Sequence, residues 1–211
     1  MDAEEFLRRY AAGERDFTGV SLDGFNWSGV NLSGANLSYA NLHISCLNGA
    51  NLSGAILDEA DLQSADLTNA NLCGAKLRKV RLTAACLDGA NLSNANLSGS
   101  QLPDSRFERA VLIDADLSDC GLQSTGIRNA NLSGANLSGS DLSDAILTNS
   151  ILINANLSGT MLNGTYLNSA NLTGANLRRA KAVSKYVLEG AILCNTIMPN
   201  GTIRNDGGEQ S

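Results

Sequence analysis

The stretch N31-L-S-G-A-N-L-S-Y-A-N-L42 places leucine at 32, 37 and 42, a spacing of five residues. An α-helix of period 3.6 would smear such leucines around its circumference. A β-strand of period 2 would alternate them between two faces. Only a backbone that turns a corner once per pentad keeps them all on one side. Extended outward from this stretch, the register runs from residue 17 to residue 177. Those 33 positions are all Leu except Phe17, Trp27, Phe107 and Ile127. Two residues before each of them, from Val30 to Ala180, stands Ala, Ser, Thr, Val or Cys. Each pentad therefore offers one large and one small residue to an interior, and Asn, Asp, Ser and Gly to the outside.

This pattern specifies a solenoid. Each pentad supplies a short extended piece and a turn. Glycine suits turns that need positive φ, and Ser, Asp and Asn suit type I-like alternatives. Four corners close a lap of 20 residues, and laps stack at about 4.8 Å. The fold class expected is all-β, a quadrilateral parallel β-helix filled by Phe17, Trp27, Leu32, Leu52, Leu72, Leu92, Phe107, Leu112, Ile127, Leu132, Leu152 and Leu172. Residues 20 apart become neighbours, which pairs Asp58 with Arg78, Glu59 with Lys79, Asp61 with Arg81 and Glu108 with Arg128.

The segments "ANLSGANLSYANL", "ADLQSADLTNANLCGAKL" and "ANLSGANLSGSDL" resemble the A-(D/N)-L-x-x consensus of pentapeptide repeat proteins, from residue 17 to about 180. The resemblance implies a right-handed quadrilateral β-helix. The start "FLRRYAAGERDF" and the ending "IMPNGTI" are similar to cyanobacterial members, some of which regulate heterocyst differentiation. Other members are similar to B-form DNA in width and charge and bind type II topoisomerases.

The domain layout expected is a helical cap at 1–14, the repeat at 15–180, an irregular final coil and cap at 181–203, and a disordered tail at 204–211. In the first segment Phe6, Leu7, Tyr10 and Ala11 share one helix face, and Gly13 can end the helix. After Leu177 the register slips by one, with Val183, Leu188, Leu193 and Met198 continuing the spacing. Pro103 falls at a turn position that accepts its fixed φ, so the coil should run through it.

The net charge of −6 argues against a nucleic-acid partner. No apolar run reaches membrane-span length, and the acidic start lacks a signal-peptide pattern, so a cytoplasmic location is expected. The five cysteines are odd in number and form no CxxC, consistent with free thiols and no metal site. His43 and Cys46 lack a third orienting group, and Asp114, Asp116 and Asp119 lack an aromatic platform. No catalytic, cofactor or metal residue is assigned. Threonines are too scattered for an ice-binding array.

The expected function is a non-enzymatic scaffold, a monomer binding another protein. Val111 and Ile113, Ile151 and Ile153 should point outward on one face, with Ile146 and Tyr166 on the adjoining one. Gly121 and Gly126 should leave a shallow notch across two faces. The alternative is a DNA mimic acting on gyrase.

Overall fold

The computed structural model describes residues 1–206. Its regular elements are few: helix α1 (Ala3–Ala11), strand β1 (Thr196–Ile197) and strand β2 (Ile203–Arg204). Everything between Asp16 and Lys181 is a coil held by isolated parallel bridges, one per pentad. Each bridge joins residues 20 apart, as in Asn31↔Asn51↔Asn71↔Asn91. One lap thus holds four bridged positions, which stack into four columns beginning at Asp16, Ser21, Asn26 and Asn31. A single ladder residue per pentad leaves no length for a continuous strand.

The hydrogen bonds of one pentad explain the repeat. The N–H groups of Asn51, Leu52 and Gly54 donate to Val30, Asn71 and Cys73 in the laps on either side, at 2.9, 2.7 and 2.9 Å. The Ala55 N–H closes the turn onto the Leu52 carbonyl at 3.0 Å. That leaves the Ser53 N–H, which donates to Asn51 Oδ1 at 3.1 Å. All five donors are satisfied, as buried backbone requires. Asn or Asp before the leucine is therefore a turn device, an Asx bond to the residue two ahead. The same carboxamides also stack: Asn51 Nδ2 donates to Asn31 Oδ1 at 3.1 Å and Asn71 Nδ2 to Asn51 Oδ1 at 3.2 Å.

One expectation about turns is corrected. In all 33 pentads from 17 to 177 the second residue after the leucine has positive φ, whether it is one of 14 glycines or one of 19 other residues. Type I geometry, with negative φ there, is not mixed in at Ser, Asp or Asn turns. The reason is stacking. The N–H of the left-handed residue donates to the lap above, as Glu59 does to Arg78 at 2.8 Å, so neighbouring turns must share one shape. Ile44 is the costliest occupant, a β-branched residue at φ 50°.

The interior matches the sequence reading. The expected core residues are between 0 and 3% exposed. The small positions line the same core, and where they carry a hydroxyl it donates to a leucine carbonyl: Ser45 Oγ to Leu42 at 2.6 Å and Ser140 Oγ to Leu117 at 2.6 Å. The coil runs through Pro103 unbroken.

At the N-terminal end, Asp2 accepts from the Glu5 N–H at 2.8 Å and starts α1. Phe6 is fully buried, its ring 4.2 Å from Phe17 and 5.2 Å from Trp27. Tyr10 donates to the Ser33 carbonyl at 2.8 Å. Leu7 and Ala11, expected on the buried face, are exposed instead. The inward stripe is Ala3, Phe6 and Tyr10, because Tyr10 is tied to the first lap by its hydroxyl.

At the other end the one-residue slip is real: Asn171↔Ile192 and Asn176↔Ile197 are 21 apart. Leu188, Leu193 and Met198 are buried, and Val183 is partly so. The chain then folds back, with β1 antiparallel to β2. Residues 204–206 belong to this hairpin, with the Leu193 N–H donating to Asp206 at 2.8 Å and the Asn195 N–H to Asn205 Oδ1 at 2.7 Å. The expectation of a disordered tail from 204 is corrected to that extent; residues 207–211 lie outside the described part.

Two outcomes are expected. Phe6→Ala removes the large side chain from over the first lap, lowers stability by about 3 kcal/mol and shifts the emission of Trp27, the sole tryptophan, to the red. Ile44→Asn, suited to a left-handed turn, raises stability by about 1 kcal/mol in urea denaturation, whereas Ile44→Val leaves it unchanged.

Candidate functional site

The column beginning at Asn31 differs from the other three in charge. Asp114 is the single charged residue on the pentads of Leu32, Leu52, Leu72, Leu92, Leu112, Leu132, Leu152 and Leu172. This face is a flat strip of Asn, Ser and Gly that becomes apolar toward its C-terminal end. Its ladder positions there read Val111, Asn131, Ile151, Asn171 and Ile192. Apolar rungs thus alternate with Asn, about 10 Å apart at the two-lap spacing. Val111 and Ile113 do not touch Ile151 and Ile153, because Asn131 and Ser133 lie between them.

The six expected patch residues are unequal. Ile151 and Tyr166 are exposed, at 39% and 56%, while Val111, Ile113, Ile146 and Ile153 are half-buried. Long side chains on adjacent laps shield one another edge to edge, so pointing outward does not mean full exposure. Ile146 and Tyr166 are directly bridged and form a continuous pair on the adjoining face. Three exposed residues of the same end were not anticipated: Tyr186, Ile192 and Ile203. They belong to the segment after the register slip, where the pentad rule no longer tells inside from outside.

The two-face notch is corrected to one face. Gly121 is buried, and the amide oxygens of Gln101 and Gln123 lie 3.1 Å from where its Cβ would be. Gly126, below Ile146 in the ladder, has nothing within 4 Å of that point. A hollow remains there, bordered by an apolar side chain.

The apolar residues have a local cost. Val111, Ile146, Ile151, Tyr166 and Ile192 stand where Asn or Asp would supply the Asx bond. Departures from a local rule tend to mark functional positions.

On the charged faces, three of the ion pairs expected between laps form. Arg78 binds Asp58 at 2.6 Å, Arg81 binds Asp61 at 3.1 Å and Arg128 binds Glu108 at 3.4 Å. Partial burial alone would raise the Asp58 carboxyl, but the Arg78 hydrogen bonds and charge hold it below the usual range. Arg106 adds a pair with Asp88, 18 residues earlier, that lap arithmetic alone does not give. Glu59 and Lys79 form no salt bridge among the described residues, because Lys79 leans the other way, over Gly99.

No grouping of His, Cys, Asp and Glu among the described residues could hold a metal ion. His43 and Cys46 are exposed. Cys120 is buried, its Sγ 3.0 Å from the Leu97 carbonyl, and burial pushes its thiol up to about 12. No helix is long and apolar enough to cross a membrane among the described residues.

A stacked five-residue repeat of this kind is matched directly by the profile for pentapeptide repeats, in eight copies, over residues 16–54, 55–94, 90–125, 127–164 and 150–182. The chain belongs to the pentapeptide repeat family. Among solved members it is 32% identical to HetL, a pentapeptide repeat protein involved in heterocyst differentiation regulation from the cyanobacterium Nostoc sp. strain PCC 7120. That match covers 97% of this chain and 100% of HetL, with a TM-score of 0.43. A second Nostoc pentapeptide repeat protein, alr5209, is 38% identical over 50% of this chain and 82% of its own, with a TM-score of 0.36. QnrB1, a plasmid-mediated fluoroquinolone resistance protein, is 20% identical over 82% of this chain and 95% of its own, with a TM-score of 0.63. The last likeness is one of fold. No curated protein sequence matches.

The five thiols of this family member should separate by burial. At pH 8, Ellman's reagent should react fast with exposed Cys46 and not with Cys120 until the protein is denatured, as read by mass mapping of labelled peptides.

Proposed function

We propose that this pentapeptide repeat protein is a non-enzymatic scaffold that binds another protein through the uncharged face and its apolar rungs. The observation that carries the reading is the distribution of charge. A chain with 36 charged residues keeps one face nearly free of them, and places Ile151, Ile153 and Ile192 at one end of it, with Tyr166 on the adjoining face. Such a face can be covered without stripping water from ions, a penalty of several kcal/mol for each ion left poorly paired. The rigid backbone has little conformational entropy left to lose on binding. The likeness to HetL supports a regulatory role of this kind, exercised by contact rather than by chemistry.

We infer with it that the coil is four-sided and right-handed, and that α1 caps its first lap. Four bridged positions per lap support the sides, and Phe6 on Phe17 and Trp27 supports the cap. The hand is the one the family resemblance implies. The acidity and the fold shared with QnrB1 favour the DNA-mimic alternative, but a mimic needs continuous negative potential. The neutral face and the ion-paired Arg78, Arg81 and Arg128 interrupt it.

The test introduces charge on the strip. Ile151→Asp with Ile153→Asp should abolish recovery of the specific partner that the wild-type protein retains from its native extract, with the circular dichroism spectrum unchanged. Asn163→Asp, on the column beginning at Ser21, should leave recovery intact. Equal recovery by all three proteins would move the interface elsewhere.

A further inference from the structure

Two places on the column beginning at Asp16 share one register, five laps apart. In the lower one, Asp58 and Glu59 lie one lap before Arg78 and Lys79. Asp58 Oδ2 accepts from Arg78 Nη2 at 2.6 Å and from Nε at 3.0 Å, and Oδ1 accepts from the Arg78 backbone N–H at 2.9 Å. In the upper one, Arg178 and Arg179 occupy the basic positions, but Ser158 and Gly159 stand in place of the acids. Both places are shallow grooves of similar size. The lower, about 330 Å³, is lined by Asp58, Glu59, Arg78, Lys79 and Ser98. The upper, about 320 Å³, is lined by Ser158, Gly159, Asn176, Arg178 and Arg179.

The upper groove has donors and no acceptor charge. Among the described residues neither the Arg178 nor the Arg179 guanidinium has a salt bridge or hydrogen bond; Arg109 likewise has none and Arg15 bonds only backbone carbonyls, whereas Arg8, Arg9, Arg78, Arg81, Arg106, Arg128 and Arg204 pair with acids, so Arg178 and Arg179 are the one adjacent pair left without a partner. The Ser158 hydroxyl makes no hydrogen bond among the described residues, whereas Ser138 Oγ, one lap earlier, donates to Asn136 Oδ1 at 2.8 Å. Arg178 is also positioned. Its Nη2 lies 3.5 Å from where a Cβ on Gly201 would be, so the guanidinium rests against the turn between β1 and β2 and has to turn back one lap to share an anion with Ser158. Residues 176–206 carry Arg178, Arg179, Lys181, Lys185 and Arg204 against Glu189 and Asp206. This end is therefore positive on a chain of net charge −6.

We propose that this groove binds a phosphate dianion, free or as a phosphate monoester, between the Arg178 and Arg179 guanidiniums with the Ser158 hydroxyl as a third donor. The anion takes the role that the Asp58 carboxylate plays five laps earlier. Charge selects phosphate over a single carboxylate, since two unpaired guanidiniums are matched by two negative charges. Planar forks with several N–H donors also suit tetrahedral oxyanions.

The lower groove supplies the decisive variant. Ser158→Asp places a carboxylate at the register of Asp58, where it should pair with Arg178 and displace the ligand. Inorganic phosphate, and separately a phosphoserine tripeptide, are titrated into the full chain at constant ionic strength, with binding followed by ³¹P NMR. The wild-type protein should show saturable binding. Ser158→Asp and the double variant Arg178→Gln, Arg179→Gln should each weaken it by about tenfold or more. Lys185→Gln, outside the groove, should not weaken it, which separates a site from general attraction to a positive end. Circular dichroism and thermal melts confirm folding, and Ser158→Asp should melt no lower than the wild type. Tighter binding of the tripeptide would identify a phosphorylated partner as the source, and equal binding a free anion. Absence of saturable binding by either probe, or unchanged binding in Ser158→Asp, overturns the proposal without touching the apolar face.

Discussion

The structure depends on a matched turn. In every pentad from 17 to 177 the second residue after the leucine is left-handed, and in all but that of Gly164 its N–H reaches the lap above. A turn of another shape would misdirect that donor and offset the next lap. Nineteen such positions are not glycine and bear a conformational cost of roughly 1 kcal/mol or more each. Repetition sustains it. Each lap is fixed by the laps on both sides, so no single turn can relax to its own preference. The leucine core needs this regularity as much as it supplies the driving force. Side chains as uniform as Leu and Ala fill an interior only if every lap presents them at the same radius.

Because the scaffold is so uniform, function lies in its irregularities. The Asx bond from Asn or Asp is the default outside each leucine, and the positions that abandon it are informative. Val111, Ile151 and Ile192 give it up in alternate laps of the uncharged face. Gly126 opens a hollow under Ile146, while the hollow expected at Gly121 is closed by Gln101 and Gln123. Ser158 and Gly159 interrupt an acid-to-arginine ladder that is complete five laps earlier. The first two features favour an apolar protein partner and the third an anion. They lie on different columns, so one rod could hold both at once.

Much of this was legible without coordinates. The period of five gave the inside and the lap of 20 gave the neighbours. Three of the four ion pairs expected from the lap length close, at Arg78, Arg81 and Arg128. The fourth fails because a lysine on a turn can lean toward either lap, and Lys79 leans toward Gly99. Sorting charges by column would also have exposed the neutral face, since it needs only the period. The C-terminal apolar residues Tyr186, Ile192 and Ile203 were beyond that reach, because a one-residue slip destroys the rule that assigns inside and outside.

The sequence by itself thus determined the coil: its period, its core and which residues lie one lap apart. It could do so because, through the regular repeats, each such relation is a fixed offset along the chain, set by backbone hydrogen bonds that recur lap after lap. Only the tertiary structure decided which outward residues are open and which are covered, which glycine leaves a hollow, how the hairpin seats Arg178, and that all turns share one hand of φ. These depend on where flexible side chains lean and on how each lap constrains the next, and no single pentad contains that information.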